Sequence, residues 1–120
     1  KAMIAACEQH NAEVLEFTVA PLLAEGDGNS VHEWFVEFSR EPDSLEKFAA
    51  TIDAELRRQN SYYDDLREGN MLRPAAVHRL KINATREYMR SIGKLGGQNK
   101  FPRLSNNRKI ADWLVDYVEV

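Results

Sequence analysis

Glu33-Trp34-Phe35-Val36-Glu37-Phe38 is the stretch from which the fold is read. Trp34, Val36 and Phe38 point one way and Glu33 and Glu37 the other, the period-two pattern of a strand. Residues 13–20 alternate too, with Leu15, Phe17 and Val19 on one face and Glu16 and Thr18 on the other. The turn cluster Glu25-Gly26-Asp27-Gly28-Asn29-Ser30 lies between them. The pair predicts a hairpin with one face buried and one wetted.

Outward from the hairpin, helical signals take over. Residues 1–10 have the pattern of a helix end, and Asp43-Ser44-Leu45-Glu46 after Pro42 has capping-box spacing. Leu45, Phe48, Ala49, Ile52 and Leu56 then form one apolar stripe. A break at Gln59-Asn60-Ser61 leads to a short helix with Tyr62, Tyr63 and Leu66 that ends at Gly69. Beyond Pro74, residues 76–82 alternate again, with His78, Leu80 and Ile82 opposite Arg79 and Lys81. A helix over 84–92 stops at Gly93, and Ser105 or Asn106 caps a last helix carrying Ile110, Trp113, Leu114 and Tyr117. The expected fold is α+β: a small three-stranded mixed sheet packed with helices in a single domain.

Composition narrows the function. The 120 residues are 43% hydrophobic and 29% charged, with a net charge of −3, as in a globular domain. No apolar run approaches the ~20 residues of a membrane span, so no membrane partner is expected. Cys7 is the only cysteine, which points to a reducing, cytoplasmic setting. Cys7 and His10 stand at i, i+3, but a zinc site needs three or four protein ligands, and no matching pair follows. Tyr62, Tyr63 and Tyr88 read as core or interface aromatics, and His32 and His78 as structural histidines. Asp64, Asp65 and Glu68 read as a solvated helix face.

The chemistry concentrates in residues 91–104, Ser-Ile-Gly-Lys-Leu-Gly-Gly-Gln-Asn-Lys-Phe-Pro-Arg-Leu. Glycine lacks a Cβ and lets backbone amides approach a ligand, and lysine and arginine add positive charge. From Lys94 to Lys109 there are five basic residues and no acidic one, against an acidic background. Such a segment suits an anion, above all phosphate. Gly96 and Gly97 either face amides to a ligand or permit a tight turn. Arg103 either holds a phosphate or pairs with an acidic residue such as Asp112.

The order of these residues resembles the C-terminal domain of the auxin-responsive Gretchen-Hagen family of acyl acid–amido synthetases. Tyr88-Met89-Arg90-Ser91, Gly93-Lys94-Leu95-Gly96-Gly97-Gln98-Asn99-Lys100, Pro102-Arg103-Leu104 and Ile110-Ala111-Asp112 carry the resemblance. Softer matches at Trp34–Phe38, Leu56, Asn60-Ser61, Tyr63 and Glu68-Gly69 extend it over residues 31–114. Plant members tend to read Gln-Tyr-Lys-Thr-Pro-Arg where this chain has Gln98-Asn99-Lys100-Phe101-Pro102-Arg103, a departure that suggests a bacterial member.

The resemblance implies an adenylate-forming ligase. Its C-terminal domain swings over a larger N-terminal domain and supplies a lysine, here Lys100, to the phosphate of ATP. Gly96, Gly97, Gln98 and Arg103 would face the nucleotide. ATP and Mg2+ would be bound mainly by the N-terminal domain, and the substrates would be a carboxylic acid and an amino acid. By this reading residues 1–120 are one C-terminal domain of a longer chain and are inactive alone. Two rival readings use the same basic segment 94–109, for nucleic acid or for an acidic protein partner. Against nucleic acid stand the net negative charge and the placing of Glu33 and Glu37 beside Phe35.

Overall fold

The computed structural model describes residues 2–22, 30–69, 71–93, 101–104 and 108–119. Three strands, β1 (Glu13–Leu22), β2 (Val31–Arg40) and β3 (Ala76–Arg79), form a sheet in that order. β1 and β2 pair antiparallel and β2 and β3 parallel, so the sheet is mixed and β2 is central. Helix α1 (Ala2–His10) precedes β1, and α2 (Leu45–Gln59) and α3 (Ser61–Glu68) form the crossover from β2 to β3. Helices α4 (Ala84–Ser91) and α5 (Lys109–Leu114) follow, and a 3-10 turn covers Val115–Tyr117. The fold is α+β, as expected. The turn at 25–29 and the caps proposed at Ser105 and Asn106 lie outside the described residues.

Local chemistry accounts for the crossover. The Lys47 N–H donates to Ser44 Oγ at 3.2 Å and starts α2. Asn60 ends α2 by donating its N–H to Leu56 O, and its Oδ1 accepts from the N–H groups of Tyr62 and Tyr63 to start α3. One residue thus satisfies orphan groups of two helices. The apolar stripe faces inward: Phe48 and Ile52 are fully buried, with Leu45 and Leu56 packed against the same core.

Both faces of the sheet are buried, which corrects the expectation of a wetted face. The first core joins Trp34, Val36 and Phe38 to Met3 and Ala6 of α1 and to Phe48 and Ile52 of α2. The second joins Phe35 and Ala20 to Tyr88 and Met89 of α4 and to Ile110 and Leu114 of α5. Thr18 and Glu37, which alternate with apolar neighbours and so look wetted, are buried on this second side. Glu37 is satisfied there: its carboxylate accepts from the N–H groups of Asn83 and Thr85 and from Thr85 Oγ1.

Two further departures have local causes. The pairing register shifts between Val14 and Glu16, so a bulge interrupts the alternation at Leu15. Val14 packs with Phe17 and Val19 on the first core, and Leu15 is 52% exposed. At the other end, β3 stops at Arg79 and Leu80 makes a single bridge to Val118, which leaves Ile82 exposed. Tyr62 is also exposed, unlike Tyr63 and Tyr88.

Candidate functional site

Helix α4 delivers the chain to the glycine-rich segment. Gly93 has a φ of 72° and donates its N–H to Arg90 O at 3.0 Å, a left-handed helix stop that glycine adopts without strain. Lys94, Gly96, Gly97, Gln98 and Lys100 lie outside the described residues. The description resumes at Phe101, which directly follows Lys100 in the sequence.

Phe101 is buried in the second core and meets the Tyr88 ring edge-on, with centroids 5.9 Å apart. Two residues on, Arg103 is fastened to β1 at three points. Its carbonyl accepts from the Val19 N–H at 3.1 Å, and Leu104 makes a parallel bridge to Val19. Its guanidinium Nε donates to Glu16 Oε1 at 2.7 Å. Its Cζ lies 5.0 Å from the centroid of the Phe17 ring, a cation–π contact. The partner is therefore Glu16 and not Asp112, which pairs instead with Arg108 at 3.4 Å. Asp112 lies one turn along the helix from Arg108, whereas Glu16 is 87 residues from Arg103 in sequence. Spacing alone favours the wrong acid.

Arg108 is engaged from the other side. Its Nη1 donates to Glu33 Oε1 at 2.5 Å, and the second Glu33 oxygen lies 2.6 Å from His78 Nε2. Glu33 thereby ties the entrance of α5 to β3, and His78 is a satisfied structural histidine lying against Phe35. Two of the five basic residues between Lys94 and Lys109 are thus matched by acids from β1 and β2. The positive field available to an anion is smaller than the bare sequence implies.

A buried network under the crossover has no counterpart in the sequence reading. Asp53 of α2 is 7% exposed. Its Oδ1 accepts from Tyr63 Oη at 2.5 Å and from the Ala75 N–H at 3.1 Å, and Arg67 Nε lies 3.1 Å from both carboxylate oxygens. Burial, reinforced by the Asp53 carboxylate, pushes the Tyr63 phenol well above its ordinary range, so it stays protonated as a donor. The only sequence signal was an acid set within an apolar stripe. Nearby, burial lowers the His32 pKa; its ring lies tilted against Tyr63. His10 Nε2 lies 2.7 Å from Thr51 Oγ1, and Cys7 packs against the first core, where burial raises its thiol pKa. Among the described residues no group of three or more His, Cys, Asp or Glu is placed to hold a metal ion, and no helix is long and apolar enough to cross a membrane.

The profile of the GH3 family C-terminal domain matches residues 1–109. The chain belongs to the GH3 family, as its C-terminal domain. This is the family that residues 88–112 resemble. Among solved structures, the chain is similar to "GH3.15 acyl acid amido synthetase", at 20% identity and a TM-score of 0.76, over 99% of this chain and 22% of that one. It is also similar to "AtGH3.15 acyl acid amido synthetase in complex with 2,4-DB", at 18% identity and a TM-score of 0.78, over 99% of this chain and 23% of that one. At these identities the two structures speak for the fold of this GH3 domain. No curated protein matches the chain.

Proposed function

We propose that this GH3 domain works as the C-terminal part of an ATP-dependent acyl acid–amido synthetase, beside a larger N-terminal domain. In the first half-reaction a carboxylate oxygen attacks the α-phosphorus of ATP, and the bond to the β-phosphate breaks to release pyrophosphate. In the second, the amine of an amino acid attacks the acyl carbon of the resulting acyl-adenylate. AMP leaves, the amine gives up a proton, and an amide remains. Family membership over residues 1–109 carries this reading. The Gly93–Arg103 motif supports it, and so do the printed names of the two solved neighbours.

Lys100 is the residue assigned to the first half. Attack of one anion on another builds negative charge on the phosphoryl oxygens and on departing pyrophosphate. A compact ammonium on a flexible stem can follow that charge. Gly96, Gly97 and Gln98 would bring backbone amides and one side-chain amide to the nucleotide. The engaged state of Arg103 and Arg108 strengthens the case for Lys100 as the phosphate-facing cation. Magnesium accompanies ATP, and in this reading, as the family resemblance implies, it would be bound mainly by the N-terminal domain. The acyl and adenine pockets belong to that domain too, so the 120 residues alone would not turn over.

ATP–pyrophosphate exchange by the full-length protein, over a panel of carboxylic acids, tests the reading. Lys100→Ala is expected to lower acid-dependent exchange by about a hundredfold or more with folding intact, as loss of a charge contact worth ~3 kcal/mol in the transition state requires. Exchange unchanged in the variant would remove Lys100 from the adenylation step. A folded wild type with no acid-dependent exchange would overturn the function.

A further inference from the structure

We infer that Glu16 is a positioning residue for the adenylation step, acting through Arg103 to hold the segment that follows Lys100 on the edge of β1. The inference deepens the proposed function and rests on it for its kinetic consequence. Arg103 leaves two open alternatives in the sequence, a phosphate ligand or half of an ion pair. The geometry favours the second. Its Nε–H is directed at Glu16 Oε1 at 2.7 Å, and its planar head is held over Phe17. Its carbonyl is bound to the Val19 amide.

Together with buried Phe101, these contacts fix the chain at two points within three residues downstream of Lys100. Pro102 stands between the points and limits the backbone further. A flexible lysine serves a phosphoryl group only when its backbone is held in place, since small misplacements of catalytic groups cost rate steeply. Glu16 belongs to β1, whose middle is buried between two helical layers. The strand therefore gives the segment a rigid footing.

The mount is also cheap to remove. The Arg103 side chain is 61% exposed and that of Glu16 24%, so the pair contributes little to global stability. Rate and stability should separate as a result.

A double-mutant cycle in the full-length protein tests this, comparing Glu16→Ala, Arg103→Ala and the double variant by ATP–pyrophosphate exchange, with Lys100→Ala alongside. Each single variant is expected to lower the maximal exchange rate ten- to a hundredfold, with KM for ATP within about twofold and the melting temperature nearly unchanged. The double variant should be no slower than the worse single, because the two side chains act as one unit. Hydrogen exchange at the Val19 amide should accelerate in all three, a readout that does not depend on activity. Full activity in Glu16→Ala beside a crippled Arg103→Ala would overturn the inference and make Arg103 a phosphate ligand. So would unchanged protection of Val19. If Lys100→Ala keeps full exchange, the assignment of Lys100 fails, while the Val19 readout still decides whether Glu16 and Arg103 form the mount.

Discussion

Glu37 caps a helix that begins 47 residues after it: its carboxylate, on β2, accepts from the Thr85 N–H at 3.1 Å and from Thr85 Oγ1 at 2.7 Å. The Asn83 N–H takes the other oxygen. Asn83 itself is left-handed and supplies no side-chain cap, so the central strand does that work for α4. A negative group there also meets the positive end of the helix dipole. Since α4 runs directly to Gly93, this contact helps to fix the helix that ends there.

Glu37→Ala should therefore destabilise the domain by about 3 kcal/mol, the size expected when a buried ionic acceptor leaves several donors unpaired. Urea unfolding would show it as a lower midpoint with little change in slope. Thr85→Val, which removes one donor and keeps the other, should cost about 1 kcal/mol.

Asp53 supports the crossover in a comparable way, but by pairing with a charge. With its carboxylate gone, Arg67, Tyr63 Oη and the Ala75 N–H all lose an acceptor in a buried setting. Asp53→Ala is expected to cost about 3–5 kcal/mol, as for one partner removed from a buried ion pair. Asp53→Ala with Arg67→Met should recover part of that loss, because the second change removes the stranded charge. The two unfolding midpoints, compared in urea, check the order.

These networks mark where the sequence stops being legible. Periodicity placed the helices and strands because it is a local property: the Leu45–Leu56 stripe and the Trp34–Phe38 alternation report their own geometry. Burial of polar residues is not local. Glu37, Thr18 and Glu33 look like the wet side of a hairpin, and only helices α4 and α5, which begin 47 or more residues later, cover that side. Pairing fails for the same reason: Arg103 has Asp112 nearby in sequence, yet it meets Glu16 across the fold. The family was legible because residue order in 88–112 is itself a local pattern. The assignments of Lys100, Gly96, Gly97 and Gln98 come from that order.

His32 gives the domain a predictable pH response. Burial holds its pKa below the ordinary value of 6.5, so the folded state prefers the neutral ring. Between the two values the unfolded chain binds more protons, and stability must rise with pH there. The contribution is fully present above the ordinary histidine value and is lost as pH falls through the folded one. Urea midpoints measured from pH 7.5 to 5 should fall with acid, and His32→Gln should flatten that part of the decline. An equal decline in the variant would assign it to other groups.

The bulge at Leu15 offers a test in which the alternation of the sequence and the observed register disagree. Simple alternation puts Leu15 on the core face with Phe17 and Val19 and turns Val14 outward. The register shift between Val14 and Glu16 reverses both, so Val14 packs on the first core and Leu15 is 52% exposed. Leu15→Ser should then change stability by no more than about 0.5 kcal/mol, as for an exposed site free of special contacts. Val14→Ser removes apolar area from a half-buried position and should cost about 1 kcal/mol or more. Val14→Lys should be worse still, because the charge must leave the core edge, whereas Leu15→Lys should fold normally. Thermal melts of the four variants decide the register: if the Leu15 changes cost more than the Val14 changes, the strand runs without a bulge.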